Sequence, residues 1–246
     1  NLKKFGSTWM KIKLKNYDNI KNVTRFNNQT FGDTADKILA NTIIGFGKYV
    51  KKIRPDLIVV HGDRLEPLAC SSVAALNNYR IAHIEGGEVS GTVDEIIRHS
   101  ISKLSHIHFA TNIKAKKRLV QMGELNKNIF IIGSPDIDIM MSKNLPPISK
   151  VKKHYSINFE SYGIGILHSV TTDLSNFKKN LKIFINCIKK SKKKFVMIYP
   201  NNDIGSEYIF SEYEKLKKND NILLLPSMRF EYYLTLLKIS NFIIGN

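Results

Sequence analysis

Three short clusters carry the side chains best suited to moving protons and holding anions. His61-Gly62-Asp63-Arg64 puts a carboxylate beside a guanidinium. His83-Ile84-Glu85-Gly86-Gly87-Glu88 sets two carboxylates around a glycine pair, and Thr92-Val93-Asp94-Glu95 runs on to Arg98-His99. A carboxylate held in a fixed orientation serves as a general acid or base, and the planar fork of Arg matches a carboxylate or a phosphate. Asp63 and Arg64 therefore read either as a reacting carboxylate with a phosphate-binding partner, or as a helix-capping Asp with its ion pair. Glu85 has no Lys or Arg close by in sequence, which favours a chemical role. His83 should share its face of a strand and serves equally well as a satisfied core histidine. The glycine pair leaves room for a ligand to approach the backbone.

Thr92 and Glu95 have the spacing of a capping box, which gives Glu95 a structural task. Asp94 and Arg98 lie four apart on one helical face, as do Glu95 and His99. Arg98 is thus expected to orient Asp94 or to meet an anion near the helix N-terminus. His83 and His99 could ligate a metal, but nothing in their spacing demands one.

The elements that must hold these clusters follow from the hydrophobic period. Leu57–Val60, Arg80–Ile84 and Ile107–Ala110 are short β-branched runs separated by helical patterns at Glu66–Asn77 and from Val93. Alternation of this kind predicts βαβ units and a parallel sheet, and each cluster then falls just past a strand's carboxyl end, where open α/β sheets bind ligands. A helix over Asp33–Arg54, stopped by Pro55, precedes them; a helix from Ile113 and a strand at Ile129–Ile132 follow. Phe5, Trp9, Ile12 and Leu14 fit a further, weakly patterned helix. Periodicity lapses at Leu145-Pro146-Pro147, so the expected domains are 1–145 and 146–246. The second half repeats the alternation, with strands at Tyr162–Leu167, Lys194–Tyr199, Asn221–Leu225 and Asn241–Ile244. His168 and Asn201 each open a loop at the carboxyl end of one of these strands. The fold class expected is α/β, two Rossmann-like domains facing a cleft.

The net charge of +17 raises the question of nucleic acid. Only seven of the 38 basic residues are Arg, and the Lys runs at Lys178-Lys179, Lys189–Lys194 and Lys215–Lys218 fall at helix ends, where cations suit the macrodipole. They read as solvated surface that would also tolerate a polyanionic small substrate. No apolar run approaches a membrane span. Cys70 and Cys187, far apart in helical patterns, predict buried thiols in a reducing, cytoplasmic compartment. Neither a Gly-x-Gly-x-x-Gly fingerprint, a phosphate loop nor a His-Glu-x-x-His motif occurs, and no cofactor or metal is expected.

The motifs His61-Gly62-Asp63-Arg64, His83-Ile84-Glu85-Gly86-Gly87-Glu88-Val89-Ser90-Gly91-Thr92 and Asp94-Glu95-Ile96-Ile97-Arg98-His99 resemble, in order and spacing, the hydrolysing UDP-N-acetylglucosamine 2-epimerases of sialic acid synthesis. The resemblance runs from Phe5-Gly6-Ser7-Thr8 to Ile243-Ile244-Gly245-Asn246. It implies a glycosyltransferase-B-like fold with UDP in the cleft between domains. It also implies anti elimination of UDP to a 2-acetamidoglucal, then syn addition of water to give N-acetylmannosamine. By position, Asp63, Glu85 and Asp94 match the catalytic carboxylates, with Arg98 and Arg64 as cationic partners, His168 and Asn201 as nucleotide contacts, and Glu88 beside the substrate. Ser169 stands where the family usually has Pro. A first strand and a Ser-rich phosphate loop of the family are not matched, so the chain is expected to be a truncated, inactive piece of a homodimeric or homotetrameric enzyme. Alternatives are the same reaction on UDP-2,4-diacetamido-2,4,6-trideoxyglucose, as in legionaminic acid synthesis, a glycosyltransferase on the same fold, and a non-enzymatic nucleotide-sugar or nucleic-acid binder.

Overall fold

The computed structural model describes residues 28, 30, 33–169, 174–201 and 203–246. The helical pattern at Phe5, Trp9, Ile12 and Leu14 lies outside them. The described residues form two compact α/β units, which part between Asp138 and Ile139.

In the first unit, helix α1 (Ala35–Ile53) buries Ile38, Thr42 and Val50, and ends where Arg54 turns left-handed and gives its N–H to the Val50 carbonyl. Pro55 then prevents continuation. Strands β1 (Leu57–His61), β2 (Arg80–Ile84), β3 (Ile107–Ala110) and β4 (Ile129–Ile131) form one parallel sheet in sequential order. Helices α2 (Leu65–Leu76), α3 (Val93–Lys103) and α4 (Ile113–Gln121) make the crossovers that parallel strands require. Ile58 and Val60 of β1 alternate inward to meet Val73, Ala74, Ile81, Ile101 and Val50. A smaller core of Ala110, Ala115, Leu119 and Ile129 seats α4, whose first turn is capped by Asn112 accepting from the N–H groups of Lys114 and Ala115.

In the second unit, α6 (Ile148–Tyr155) precedes β5 (Gly163–Ile166), and the short α5 (Pro135–Met140) spans the division between the units. Strands β5, β6 (Phe195–Ile198), β7 (Ile222–Leu225) and β8 (Phe242–Gly245) are all parallel, in the order β7-β6-β5-β8. The chain winds outward from β5 to β7 and returns with β8 on the other side of β5, so the carboxyl end of β5 is a topological switch point. Both faces of this sheet are covered. Phe195 and Met197 pack with Leu181, Ile185 and Tyr213 of α7 (Leu174–Ser191) and α8 (Ser206–Glu214). Val196 and Ile164 pack oppositely with Val151, Tyr232 and Leu236 of α6 and α9 (Phe230–Ile239).

The helices α5 and α6 were not expected from the sequence. Pro147 occupies the N-cap of α6, a place next to the helix start that suits Pro, and only Val151 is fully buried, so eight residues show little period. The structural division falls ahead of the Pro146-Pro147 boundary because residues from Ile139 onward belong with the second unit; Thr235 donates to the Pro146 carbonyl at 2.8 Å. Among the described residues no helix is long and apolar enough to cross a membrane.

Among the polar side chains buried in the first unit, one ties three of its elements together. His83 is fully buried, with Nε2 2.9 Å from the Gly62 carbonyl and Nδ1 3.1 Å from Ser102 Oγ. A carbonyl only accepts, so Nε2 carries a proton toward Gly62, while the Ser102 hydroxyl lies between Nδ1 and the Arg98 carbonyl, 3.1 Å from each; the ring, kept neutral by burial, joins β1, β2 and α3. Burial depresses its pKa from 6.5 to about 4. The unfolded chain therefore takes up a proton near pH 6.5 while the folded one resists until about pH 4. Stability should hold above pH 6.5 and fall as pH drops through this window, by on the order of 3 kcal/mol at most from His83 alone. His99 and His108, also depressed by burial, act in the same direction. Urea unfolding of the full-length protein between pH 7.5 and 5 should show this decline in advance of carboxylate titration; a flat profile would contradict a buried neutral His83.

Candidate functional site

The carboxyl ends of all four strands of the first sheet contribute polar side chains to one edge. Asp63 follows β1, Glu85 and Glu88 follow β2, Thr111 follows β3 and Ser134 follows β4. Helix α3 rises from the same edge and adds Asp94, Glu95, Arg98 and His99.

Arg98 is the tie. Its guanidinium donates through Nη2 to Asp63 Oδ2 and through Nη1 to the Glu88 carbonyl at 3.1 Å. With 11% of its side chain exposed and 21% of Asp63's, the pair is largely removed from solvent. The expected helical partner is not used. Asp94 instead accepts from the Thr92 hydroxyl at 3.3 Å, so its carboxylate stays in the first turn of α3 while the longer Arg side chain crosses to the end of β1. The capping box is altered too. Thr92 is the N-cap residue but its hydroxyl caps nothing; Glu95 accepts from Ser90 N and Gly91 N at 2.8 and 2.7 Å, closing the loop before the helix. Those two N–H groups hold the Glu95 carboxyl below its usual range. His99 stands 3.9 Å from the other Glu95 oxygen.

Glu85 sits at φ 68°, a left-handed backbone rare for a residue with a side chain, and its N–H still bonds the Phe109 carbonyl at 2.9 Å. The turn breaks the strand's alternation. His83 points into the core toward Ser102, whereas Glu85 meets His61 Nε2 at 2.9 Å and Ser134 Oγ at 3.4 Å. The two were expected on one face and are not.

The glycine pair also has a different use from ligand access. A Cβ on Gly86 would lie 2.8 Å from Ser102 Oγ, and one on Gly87 2.5 Å from the Ala115 carbonyl oxygen. The missing side chains let α3 and α4 pack onto the loop itself. Arg118 of α4 secures it by donating to the Gly87 carbonyl. Glu88 is likewise engaged, its carboxylate accepting from the Thr111 hydroxyl. Arg64 is exposed and occupies the N-cap position of α2.

In the second unit His168 follows β5 at the switch point. Its N–H donates to Asn246 Oδ1 at 2.9 Å, and Asn246 Nδ2 donates back to its carbonyl at 3.1 Å, which bridges the ends of β5 and β8. Asn201 follows β6. His168 Nδ1, Ser169 Oγ and Asn201 Oδ1 are buried without a hydrogen-bond partner among the described residues. Three such atoms at one sheet edge form a polar surface suited to a ligand's donors and acceptors.

Of the sequence-derived candidates, the structure joins Arg98 with Asp63 and with the Glu88 backbone, and puts His168 and Asn201 on one edge of the second sheet. Among the described residues no hydrogen bond or ion pair joins Asp94 to Asp63 or Glu85. His61, Thr111, Ser134 and Arg118 were not singled out. The first three lie at or just past the carboxyl ends of strands, as the chosen residues do, and could have been found by that rule; nothing local marks Arg118.

The profile of the family described as UDP-N-acetylglucosamine 2-epimerase is matched by residues 6–246. A UDP-N-acetylglucosamine 2-epimerase of Neisseria meningitidis serogroup B is 44% identical over 100% of this chain and 64% of its own length. A Legionella pneumophila protein named UDP-N,N'-diacetylbacillosamine 2-epimerase (hydrolyzing) is 28% identical over 85% of this chain and 56% of its own. The chain thus spans less than two thirds of the curated relatives it matches. The fold is similar to that of the Methanocaldococcus jannaschii UDP-GlcNAc 2-epimerase solved with UDP-GlcNAc and UDP, at a TM-score of 0.73, 23% identity, and coverage of 89% of this chain and 62% of the other. The two-domain α/β architecture with parallel sheets is therefore shared, and with nearly its whole length matched, the chain belongs to the UDP-N-acetylglucosamine 2-epimerase family.

Proposed function

We propose that the whole protein is a hydrolysing UDP-sugar 2-epimerase, which releases UDP and a free 2-acetamido sugar inverted at C2. The observation that carries this reading is the Arg98-held Asp63 beside a strained Glu85 on one strand edge of the first sheet. In the elimination, a carboxylate takes the C2 proton, the C1–O bond breaks, and UDP leaves with the electron pair. In the hydration, water adds its hydroxyl to C1 and C2 regains a proton on the other face. Asp63, Glu85 and Asp94 supply the carboxylates, and the hydrogen-bond donors nearby stabilise the departing diphosphate. Arg98 holds Asp63 in orientation. Arg64, His168 and Asn201 contact the nucleotide, and Glu88 lies beside the sugar. The reaction involves no net redox change, and carboxylates with cationic partners suffice for its proton transfers. The protein acts as a homo-oligomer in the cytoplasm, a setting that suits the free Cys70 and Cys187.

The 44% identical relative, by its name, supports UDP-N-acetylglucosamine as substrate; hydrolysis of that sugar would give N-acetylmannosamine, the precursor for sialic acid synthesis. A second reading has its own support. Two relatives whose names carry the word hydrolyzing are 2-epimerases of N,N'-diacetylbacillosamine nucleotides, so the hydrolytic step is tied by name to a 2,4-diacetamido sugar, the alternative substrate of a legionaminic route. On hydrolysis the comparisons favour that sugar.

NMR of the full-length protein with each UDP-sugar in D₂O decides between them. The substrate should release UDP and a free sugar carrying deuterium at C2. Retention of the original C2 proton would exclude elimination, and UDP release only with an added acceptor would indicate a glycosyltransferase.

A further inference from the structure

Glu85 is placed by contacts that the roles above leave unused. Its Oε2 lies 2.9 Å from His61 Nε2 and its Oε1 3.4 Å from Ser134 Oγ. A side chain on a left-handed backbone has no helix or strand neighbours to fix its direction, so these two contacts set where the carboxylate points. His61 is well suited to the task. It ends β1 in register with Ile84, and the adjoining Gly62 N–H bonds the Ile84 carbonyl at 3.1 Å, so its backbone cannot shift relative to Glu85. Its ring turns about only two side-chain bonds, in contrast to a Lys at the same place. Half of the His61 side chain, 49%, remains open to solvent, so the ring is not a core element whose loss would collapse the sheet.

We propose that His61 is a positioning residue for Glu85: its Nε2–H holds Oε2 and thereby presents Oε1 to the sugar for proton transfer. This rests on the epimerase reading of the site. Ser134, reaching over from the end of β4, limits rotation of the same carboxylate from the other side. The hydrogen bond, rather than the imidazole's charge, does the positioning, so another donor at the same height should substitute for it.

The test uses His61→Ala and His61→Gln in the full-length protein, with kcat and KM measured on the UDP-sugar that the wild type consumes, and UDP affinity measured separately. Gln carries an amide nitrogen close to where the imidazole Nε2 lies. His61→Ala should lower kcat by about 30-fold with KM and UDP affinity within about twofold, and His61→Gln should recover kcat to within about fivefold of wild type. A structural role would instead raise KM and lower the unfolding midpoint together. His61→Ala within about threefold of wild type in kcat overturns the inference, as does a folded, UDP-binding His61→Gln impaired by about 30-fold or more. Should the Ala protein not fold, the Gln variant alone decides by the same limits. A wild type that consumes neither UDP-sugar overturns the epimerase reading and this inference with it, whereas an active wild type indifferent to His61 overturns this inference alone.

Discussion

Arg98 connects three parts of the first unit that the chain presents separately: the end of β1 through Asp63, the loop after β2 through the Glu88 carbonyl, and helix α3 on which it rides. A guanidinium with 11% of its side chain exposed needs acceptors for its N–H groups, and a carboxylate and a carbonyl supply two of them. Removing either charge would leave the other uncompensated in a partly dry site, which costs far more than an exposed pair is worth. The positions of Asp63, of the Gly86-Gly87 loop and of the first turn of α3 are therefore one linked arrangement. Glu85 stands inside that frame, and its unusual backbone persists because the ladder bond to Phe109 and the packing of α3 and α4 against the glycines over-determine it.

Much of the frame was legible in the sequence because it depends on pattern. Runs such as Leu57–Val60 and Arg80–Ile84 are strands, and the polar residues that stop them lie at the carboxyl edge of a parallel sheet. Tertiary pairing was not legible. Helical spacing ranks Asp94 as the partner of Arg98, but Asp63, far upstream, is the one reached, and no local rule encodes that distance. The glycine pair illustrates a second limit: sequence shows that side chains are missing, while only the fold shows that Ser102 and Ala115 fill the space. His83 and Glu85 were separated by one backbone angle that composition does not reveal.

The chain's charge fits this picture without defining it. A formal +17 arises mainly from Lys. The acids Asp63, Glu85, Glu88, Asp94 and Glu95 collect at one sheet edge, where they would repel a phosphate backbone and where carboxylates are placed to exchange protons. A general positive field still favours the approach of a doubly charged nucleotide diphosphate. At the second sheet, His168 and Ser169 follow β5 at the switch point and Asn201 follows the neighbouring β6, each with a buried polar atom that has no partner among the described residues; open sheets bind ligands at such a point.

The most direct test of the linked arrangement is a double-mutant cycle on Asp63→Asn and Arg98→Lys in the full-length protein, read as kcat/KM for UDP release. Arg98→Lys keeps the charge and loses the fork. If Arg98 acts by holding Asp63, the double variant should be within about threefold of the worse single variant, so that the smaller single loss nearly vanishes when the other substitution is already present. Losses that multiply, each substitution having the same effect whether or not the other is present, would show that the two residues act independently and would contradict the account.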